Sequence, residues 1–401
     1  MKILLVGSNS FIGKNVISKL ELQEDTTNVI YQYDINTPYD KLVLYTKECD
    51  YVVFCKINNK PKYKKRTSYS HYLLFGELLN LLQKAQNSSP IFYYSTSQQV
   101  NQTTNSLNQS NLEKMLIEHA KIVSCKLYLY QLDNIFGKWD TPTEEFIINR
   151  YCYDISHGID VNIDSRDDIL ECCFIDDVID SLLKQLNLLE QSRVKKLDNS
   201  ILKTTNSFTD TDVLEQEQVL HLNIEPKYVI HRNELISKIQ SVHQMRKNDE
   251  IPDISDLFLY RLYNTYLYYL PCEDLINTIN TINTNESFYE SRTEILKTSY
   301  HDHFYIERIK PGMKKGDCWH NLRTEKWIVL SGKALVQIRR NDTEKIFNFY
   351  ISQNPLKTMD IPVGYTHSIR NIGDDDLIIL VWTNANYEFE ITDTYSVSVE
   401  I

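Results

Sequence analysis

Apolar residues come in short runs through the first half of the chain, at 3–6, 28–33, 51–55, 91–94 and 126–132. The stretches between them, such as 72–83 and 106–122, instead repeat apolar positions three and four residues apart. Runs of the first kind predict strands, and spacing of the second kind predicts helices. A strand followed by a helix, several times over, implies a parallel sheet with helices on both faces. The pattern carries on through 174–183, where Asp176 and Asp177 open an apolar helix at its electropositive end.

Residues 191–218 are polar and rich in Ser, Thr, Asn and Asp, which predicts a long surface loop. A strand at 227–230, a helix at 234–245 and a Tyr-rich helix at 257–269 follow, the last ended by Pro271. Tyr and Leu at helical spacing there suit core packing better than a ligand box. The Asn-Thr-Ile repetition of 277–285 reads as linker. From about Tyr289 the pattern changes to short alternating runs at 304–309, 326–330, 334–339, 346–351, 378–382 and 395–399, separated by Gly, Pro and Asn-Asp turns. Such runs predict a β-sandwich or jelly-roll barrel. Glycine usage places the boundary: Gly312, Gly316, Gly332, Gly364 and Gly373 make up half of the 10 glycines of the chain. The reading is therefore α/β plus all-β: a Rossmann-like domain at 1–272, a linker at 273–288 and a β-barrel domain at 289–401.

At 401 residues the chain is long enough for two cores. An apolar fraction of 42% and a charged fraction of 24% are those of an ordinary globular protein. No stretch approaches the roughly 18 uninterrupted apolar residues of a membrane span. Met1-Lys-Ile-Leu-Leu-Val-Gly7 runs straight into a strand pattern without a small-residue cleavage site, so a cytoplasmic location is expected and no membrane partner. The 8 cysteines include no CxxC pair and read mostly as buried small hydrophobes. A net charge of −11 argues against nucleic-acid backbone binding. The basic run Lys60-Pro-Lys-Tyr-Lys-Lys-Arg66 suits a solvated loop.

Between the first strand and the first helix stands Gly7-Ser-Asn-Ser-Phe-Ile-Gly13, where a nucleotide fold places its phosphate loop. The spacing resembles GxxGxxG of the extended short-chain dehydrogenases/reductases, with Ser10 at the middle glycine. Gly7, Ser10, Phe11, Ile12 and Gly13 are the candidate NAD(P) contacts. Asp34, at the end of the second strand, suits a ribose 2′-OH, which would favour NAD, or equally a solvated strand end. The family's proton transfer needs a Tyr-xxx-Lys pair on one helix face. Tyr93-Tyr-Ser-Thr-Ser97 offers hydroxyls, but the helix that follows carries Leu107 and Asn111 at the pair's spacing. A small-residue turn is also replaced, by Cys55-Lys-Ile-Asn58.

Over nearly the full length the chain resembles the CapF-like bifunctional capsule-sugar enzymes, an extended short-chain reductase domain followed by a cupin domain. The resemblance rests on Asp133-Asn-Ile-Phe-Gly-Lys-Trp139, Phe174-Ile-Asp-Asp177, Leu262-Tyr-Asn-Thr-Tyr-Leu-Tyr-Tyr-Leu-Pro271, Ser291-Arg-Thr-Glu-Ile-Leu-Lys-Thr298, Lys310-Pro-Gly312, Ile361-Pro-Val-Gly-Tyr-Thr-His367 and Thr392-Asp-Thr-Tyr395. It implies a UDP-2-acetamido-2,6-dideoxy-4-hexulose substrate, C3 epimerisation in the cupin and NADPH-dependent reduction of the C4 ketone in the first domain. It also implies a homodimer, because cupin sheets commonly pair. Gln131 and Asp133 stand where the family has Arg and Pro, and with Ser10, Leu107 and Asn111 they concentrate the departures in the reductase site. A folded but reductively silent first domain is therefore expected.

The cupin signature reads Gly312, five residues, Cys318-x-His320, four residues, Glu325, six residues, Gly332, then Pro362-x-Gly364, two residues, His367, three residues, Asn371. One usual histidine is Cys318, and a second pocket histidine of the family is Asn321. Strand alternation turns Cys318 and His320, Glu325 and Trp327, and Tyr365 and His367 each to one face, so they converge inside a barrel, with Lys326 turned outward. Thiolate, imidazole and carboxylate are ordinary zinc ligands, and a Cys shifts preference from Mn or Mg toward zinc. The same residues also suit a metal-free barrel whose polar groups pair with each other. Epimerisation beside a ketone needs a base and enolate stabilisation. Tyr365 is a candidate donor and His320 a candidate base if it is not a ligand; Tyr365 and Glu294 are equally suited to structural roles. Three functions follow: a cupin epimerase with a silent reductase domain, the full bifunctional enzyme, or a silent partner of an active homologue.

Overall fold

The computed structural model describes residues 1–22, 28–34, 37–55, 67–96, 104–142, 146–161, 167–201, 217–248, 250–253, 256–278, 303–383 and 393–400. Contacts divide the chain into two compact units, Met1–Ile135 with Glu171–Tyr228, and Phe136–Leu170 with Val229–Ile401.

The first unit is built on a six-stranded sheet in the order Val29–Tyr33, Lys2–Val6, Tyr51–Phe54, Ile91–Thr96, Leu127–Leu132, Val219–Leu222, parallel throughout. Strands covered on both faces need apolar side chains on both, hence the unbroken runs: Ile3 to Val6 and Val52 to Phe54 are fully buried. Helices Thr67–Lys84 and Thr104–Val123 supply part of that cover. Phe75 stacks on Phe54 at 4.5 Å, and Leu78, Leu82, Leu116 and Ala120 are buried beside them. Each such leucine contributes about 2 kcal/mol by leaving water. The chain leaves Lys2–Val6 toward one side of the sheet and later returns to its other side, so the Gly7 turn lies at the switch point where such folds place ligands.

One sequence expectation fails here. Residues 191–201 are not loop but the end of a helix, Ile175–Ile201. Their Gln, Arg, Lys and Leu are good helix formers, and Gln191 to Val194 are exposed, so polarity there marks a solvated helix face rather than a turn. Residues 202–216 lie outside the described segments. The cysteines follow expectation: all eight are free, and seven are buried, Cys318 being the exception.

The second unit holds helices Ile147–Ser156, Arg232–Lys247 and Leu257–Tyr269 together with two five-stranded sheets. Contacts thus group the Tyr-rich helix with the β-strands that follow it. Asp256 caps that helix by accepting the N–H groups of Phe258 and Leu259, and Tyr263, Tyr266 and Tyr268 are fully buried, as core packing requires. Tyr260 and Asn264 on its other flank both donate to Leu322 O, in the turn that carries the cupin-type signature.

One sheet runs Ile276–Thr278, Lys357–Ile361, Glu325–Ser331, Leu377–Thr383, His303–Ile309; the other runs Ile346–Ser352, Lys333–Arg340, Tyr365–Asn371, Lys314–Trp319, Tyr395–Ser396. Every pairing in the two is antiparallel, the double-sheet plan expected of a jelly roll. Residues 276–278, read as linker, form an edge strand against Lys357–Met359. Lys326 corrects a second expectation. Alternation does turn it from the Glu325 face, yet it is buried, 3.1 Å from Asp360, which also meets Arg246 of helix Arg232–Lys247 at 3.1 Å. Sequence alternation told its side of the strand but could not show that helices cover that side.

Candidate metal centre

The loop at the end of the first strand is closed by its own side chains. Ser10 caps helix Phe11–Glu21, its Oγ accepting the Gly13 N–H at 3.0 Å, while Phe11 and Ile12 are buried in the first turn. That N–H is one of the groups a pyrophosphate would otherwise take. Asp34 is buried rather than solvated and accepts the Asn9 N–H at 2.9 Å and the Ser8 hydroxyl at 3.4 Å. Tyr93, Tyr94 and Ser95 are buried, and burial holds the Tyr94 phenol well above its ordinary range. Leu107 and Asn111 lie on one helix, Thr104–Val123, with Asn111 exposed. Residues 56–66 and Ser97 lie outside the described segments.

In the second unit the ligand candidates do meet. The strand Lys314–Trp319 pairs with Tyr365–Asn371, and the register slips between Gly316 and Cys318, so that Asp317 bulges and Cys318 comes opposite His367. Gly316 makes this possible: its φ is +100°, and a Cβ there would stand 2.7 Å from His367 O. The bulge is held by Lys314 on the Asp317 carboxylate at 2.8 Å and by the Val399 N–H on the same group at 3.1 Å. Cys318 Sγ then lies 3.8 Å from His367 Nε2, and the His320 and His367 rings are 5.1 Å apart. Among the described residues, Cys318, His320 and His367 offer ligand atoms all within 4.8 Å of one another.

Ring orientation suits a metal. His320 Nδ1 lies 2.8 Å from Asp393 O and His367 Nδ1 3.1 Å from Tyr365 O. A carbonyl only accepts, so both Nδ1 atoms donate, and in the neutral rings each Nε2 keeps a lone pair facing the group, with Arg323 beside that of His320 and Cys318 beside that of His367. Burial, then the His320 charge, lowers His367 to about 4, so this imidazole is neutral at pH 7. Burial, then the Glu325 charge, pushes the Cys318 thiol up to about 11. An ion bound here would have to displace the thiol proton. Two imidazole nitrogens and one sulfur form a donor set suited to zinc, and the residues present fit such an ion.

Glu325 adjoins this group rather than completing it. Its Oε1 lies 3.3 Å from His320 Nε2 and 3.3 Å from an Arg323 amine, and its Oε2 accepts the Trp327 indole N–H at 2.8 Å. Burial opposes its charge, but the His320 and His367 imidazoles and the Arg323 guanidinium outweigh it and hold the carboxyl far below its usual range. Arg323 also stands 3.2 Å from His320 Nε2 and donates to Thr394 Oγ1 at 3.1 Å. Tyr365 is placed differently: its hydroxyl donates to Tyr268 O at 3.2 Å, and burial holds its phenol well above the ordinary range. Glu294 lies outside the described segments.

Two contributors were not legible as such. Arg323 lies within the signature without being one of its named positions. Asp393, far along the chain, accepts the backbone N–H groups of Asn321, Leu322 and Arg323 with its carboxylate and orients His320 with its carbonyl. The run Thr392-Asp-Thr-Tyr395 was its only signal, and that run gave no role.

A family model described as the polysaccharide biosynthesis C-terminal domain matches residues 290–395. Over the whole chain there is 23% identity to a UDP-2-acetamido-2,6-beta-L-arabino-hexul-4-ose reductase of Pseudomonas aeruginosa, covering 100% of this chain and 99% of that one. The crystal structure of the capsular polysaccharide assembling protein CapF from Staphylococcus aureus matches with a TM-score of 0.52 and 24% identity, covering 100% of both chains. The chain has the fold of CapF. The CapF likeness spans the parallel-sheet unit and the double-sheet unit alike, as the order of the sequence motifs implied. No helix among the described residues is long and apolar enough to cross a membrane.

Proposed function

We propose that the chain modifies a nucleotide sugar, epimerising C3 of a UDP-2-acetamido-2,6-dideoxy-4-hexulose at the Cys318/His320/His367 centre. The observation that carries the reading is the convergence of two inward Nε2 atoms and a thiol beside an ionised Glu325 and a buried Arg323. The relative matched over its full length is a UDP-hexulose reductase by name, which supports the substrate class.

Removing a proton next to a ketone requires positive charge near the developing enolate oxygen. Arg323 supplies a fixed guanidinium, kept in place by Glu325 and Thr394. A zinc ion held by Cys318, His320 and His367 would add Lewis-acid polarisation of the ketone. A second placement of His320 is favoured by its contact with Glu325: with Nδ1 tied to Asp393 O, Nε2 is positioned to take a proton and Glu325 to stabilise the resulting imidazolium. The Tyr365 hydroxyl, turned to Tyr268 O, is given a packing role. The first domain is read as reductively silent, because Ser10 and Asp34 are engaged within their own loop and the Tyr/Lys pair is replaced. The protein is read as a cytoplasmic homodimer.

The test is incubation with the 4-keto sugar nucleotide in D2O. Deuterium at C3 without NAD(P)H is the expected result, lost in Cys318→Ala if the ion is needed and in His320→Gln under either placement. Product that forms only with NAD(P)H would instead establish the full bifunctional enzyme. Absence of both exchange and product would point to a silent partner of an active homologue.

A further inference from the structure

The turn Gly137-Lys-Trp-Asp140 belongs by sequence to the nucleotide half of the chain, yet it folds in the same compact unit as the two β-sheets. It is held firmly. Gly137 N–H donates to Asn149 Oδ1 at 2.9 Å, Asn149 donates to the Asp140 carboxylate at 3.2 Å, and the Tyr269 hydroxyl lies 3.3 Å from Gly137 O and 3.4 Å from Asp140 O. The turn presents the Trp139 indole to the two segments that carry the ligand candidates.

On one side lies Gly364, in the turn three residues before His367. Its N–H donates to His320 O at 2.9 Å, so this turn ties the backbone of one ligand to the strand of another. A Cβ at Gly364 would stand 3.0 Å from Trp139 Nε1, 3.3 Å from its Cε2 and 3.4 Å from Lys138 Cδ. Gly364 also has a φ of +73°, so the chain reverses there at the least steric cost, with the indole close against it. On the other side the Trp139 and Trp319 rings are 5.7 Å apart, and Trp319 stands between Cys318 and His320. The Tyr395 ring lies beyond, tilted against Trp319 at 5.0 Å.

Trp139 itself is built at a cost. Its φ is +71°, a region a bulky residue seldom occupies, and its buried indole N–H meets no acceptor among the described residues. A buried donor left unmade costs about 1–3 kcal/mol, which phenylalanine would avoid. Strain and an unmet donor on one residue, placed over the backbone between two ligand candidates, argue for a role of shape rather than stability.

We infer that Trp139 is a positioning residue of the Cys318/His320/His367 centre, acting through Gly364 and Trp319 to set the distance between the two ligand-bearing strands. The inference rests on the reading of that cluster as the functional centre. It assigns to the second unit's chemistry a motif that the sequence placed with the reductase.

Two readouts separate this inference from the metal reading. The first is zinc affinity, with the thiolate-to-metal absorption band of the cobalt-substituted protein. The second is the alkylation rate of Cys318 in chelated protein, where the other seven thiols are buried. Trp139→Ala is expected to lower zinc affinity by on the order of 10–100-fold, to shift the cobalt band and to change the Cys318 alkylation rate several-fold, with Trp139→Phe restoring part of each. Gly364→Ala is expected to act alike, and the double variant to show less than the summed effects, because losing the indole makes room for the new methyl. If Trp139→Ala does not fold, Trp139→Phe and Gly364→Ala decide by the same readouts. Folded variants with wild-type alkylation, affinity and cobalt spectrum would overturn the inference. Altered alkylation in a protein that takes up no zinc even as wild type would uphold the positioning role and sink the metal reading.

Discussion

His367 makes the pH behaviour of the centre predictable. In metal-free protein, burial lowers its pKa from 6.5 to about 4. Between those values the unfolded chain binds a proton that the native chain does not, so stability is complete above the window and falls as pH falls through it. The full loss is about 3 kcal/mol, at 1.36 kcal/mol per unit. Urea unfolding in chelator from pH 7 to 4.5 should show that decline in the wild type and a flatter profile in His367→Asn; equal slopes would refute it. Above the ordinary carboxylate range the slope is not Glu325's, because a carboxyl held low loses its contribution only at more acid pH. At this scale the sequence was informative about donor types and their spacing. It could not show that Glu325 would face Arg323 and Trp327 and stand beside, not within, the three-member group.

The decisive element is the bulged strand Lys314–Trp319. Its register slip brings Cys318 opposite His367, and the slip depends on Gly316 passing over His367 O. Gly316→Ala should therefore cost about 2 kcal/mol or more and separate the thiol from the imidazole, since both the left-handed φ and the 2.7 Å approach oppose a side chain. A thermal melt and a zinc titration of the variant check this; an unchanged melting temperature would contradict it. Elsewhere, elements were legible where local chemistry marks their ends. Helix Leu257–Tyr269 begins at the Asp256 cap and stops before Pro271, and it was read in full. Helix Ile175–Ile201 was read short, because its last turns are polar and no cap or proline marks the stop.

At the scale of the whole molecule, the β-sheets depend on helices that precede them by many residues. Arg246, Asp360 and Lys326 form a buried charge group in which helix Arg232–Lys247 reaches the sheet. Without Arg246 the Asp360 carboxylate keeps Lys326 but loses its second cation, and helix Arg232–Lys247 loses this tie to the sheet. A fragment of residues 289–401 lacks Arg246 and the Tyr-rich helix, and should fail to give a cooperative melt, while full-length Arg246→Ala should melt at lower temperature than wild type. A cooperative, wild-type-like transition in the fragment would show that the barrel stands without those helices.

The sequence by itself determined the order of a parallel-sheet half and an antiparallel half, many of the strands and several helices within them, and the residue types gathered at the centre. Those follow from periodicity and turn chemistry, which act over a few neighbouring residues. Tertiary structure alone decided that Lys326 is buried, that Asp393 orients His320, and that the turn carrying Trp139 packs against Gly364. Each of these joins residues tens to hundreds of positions apart, and such pairings depend on how surfaces bury one another, which no local pattern records.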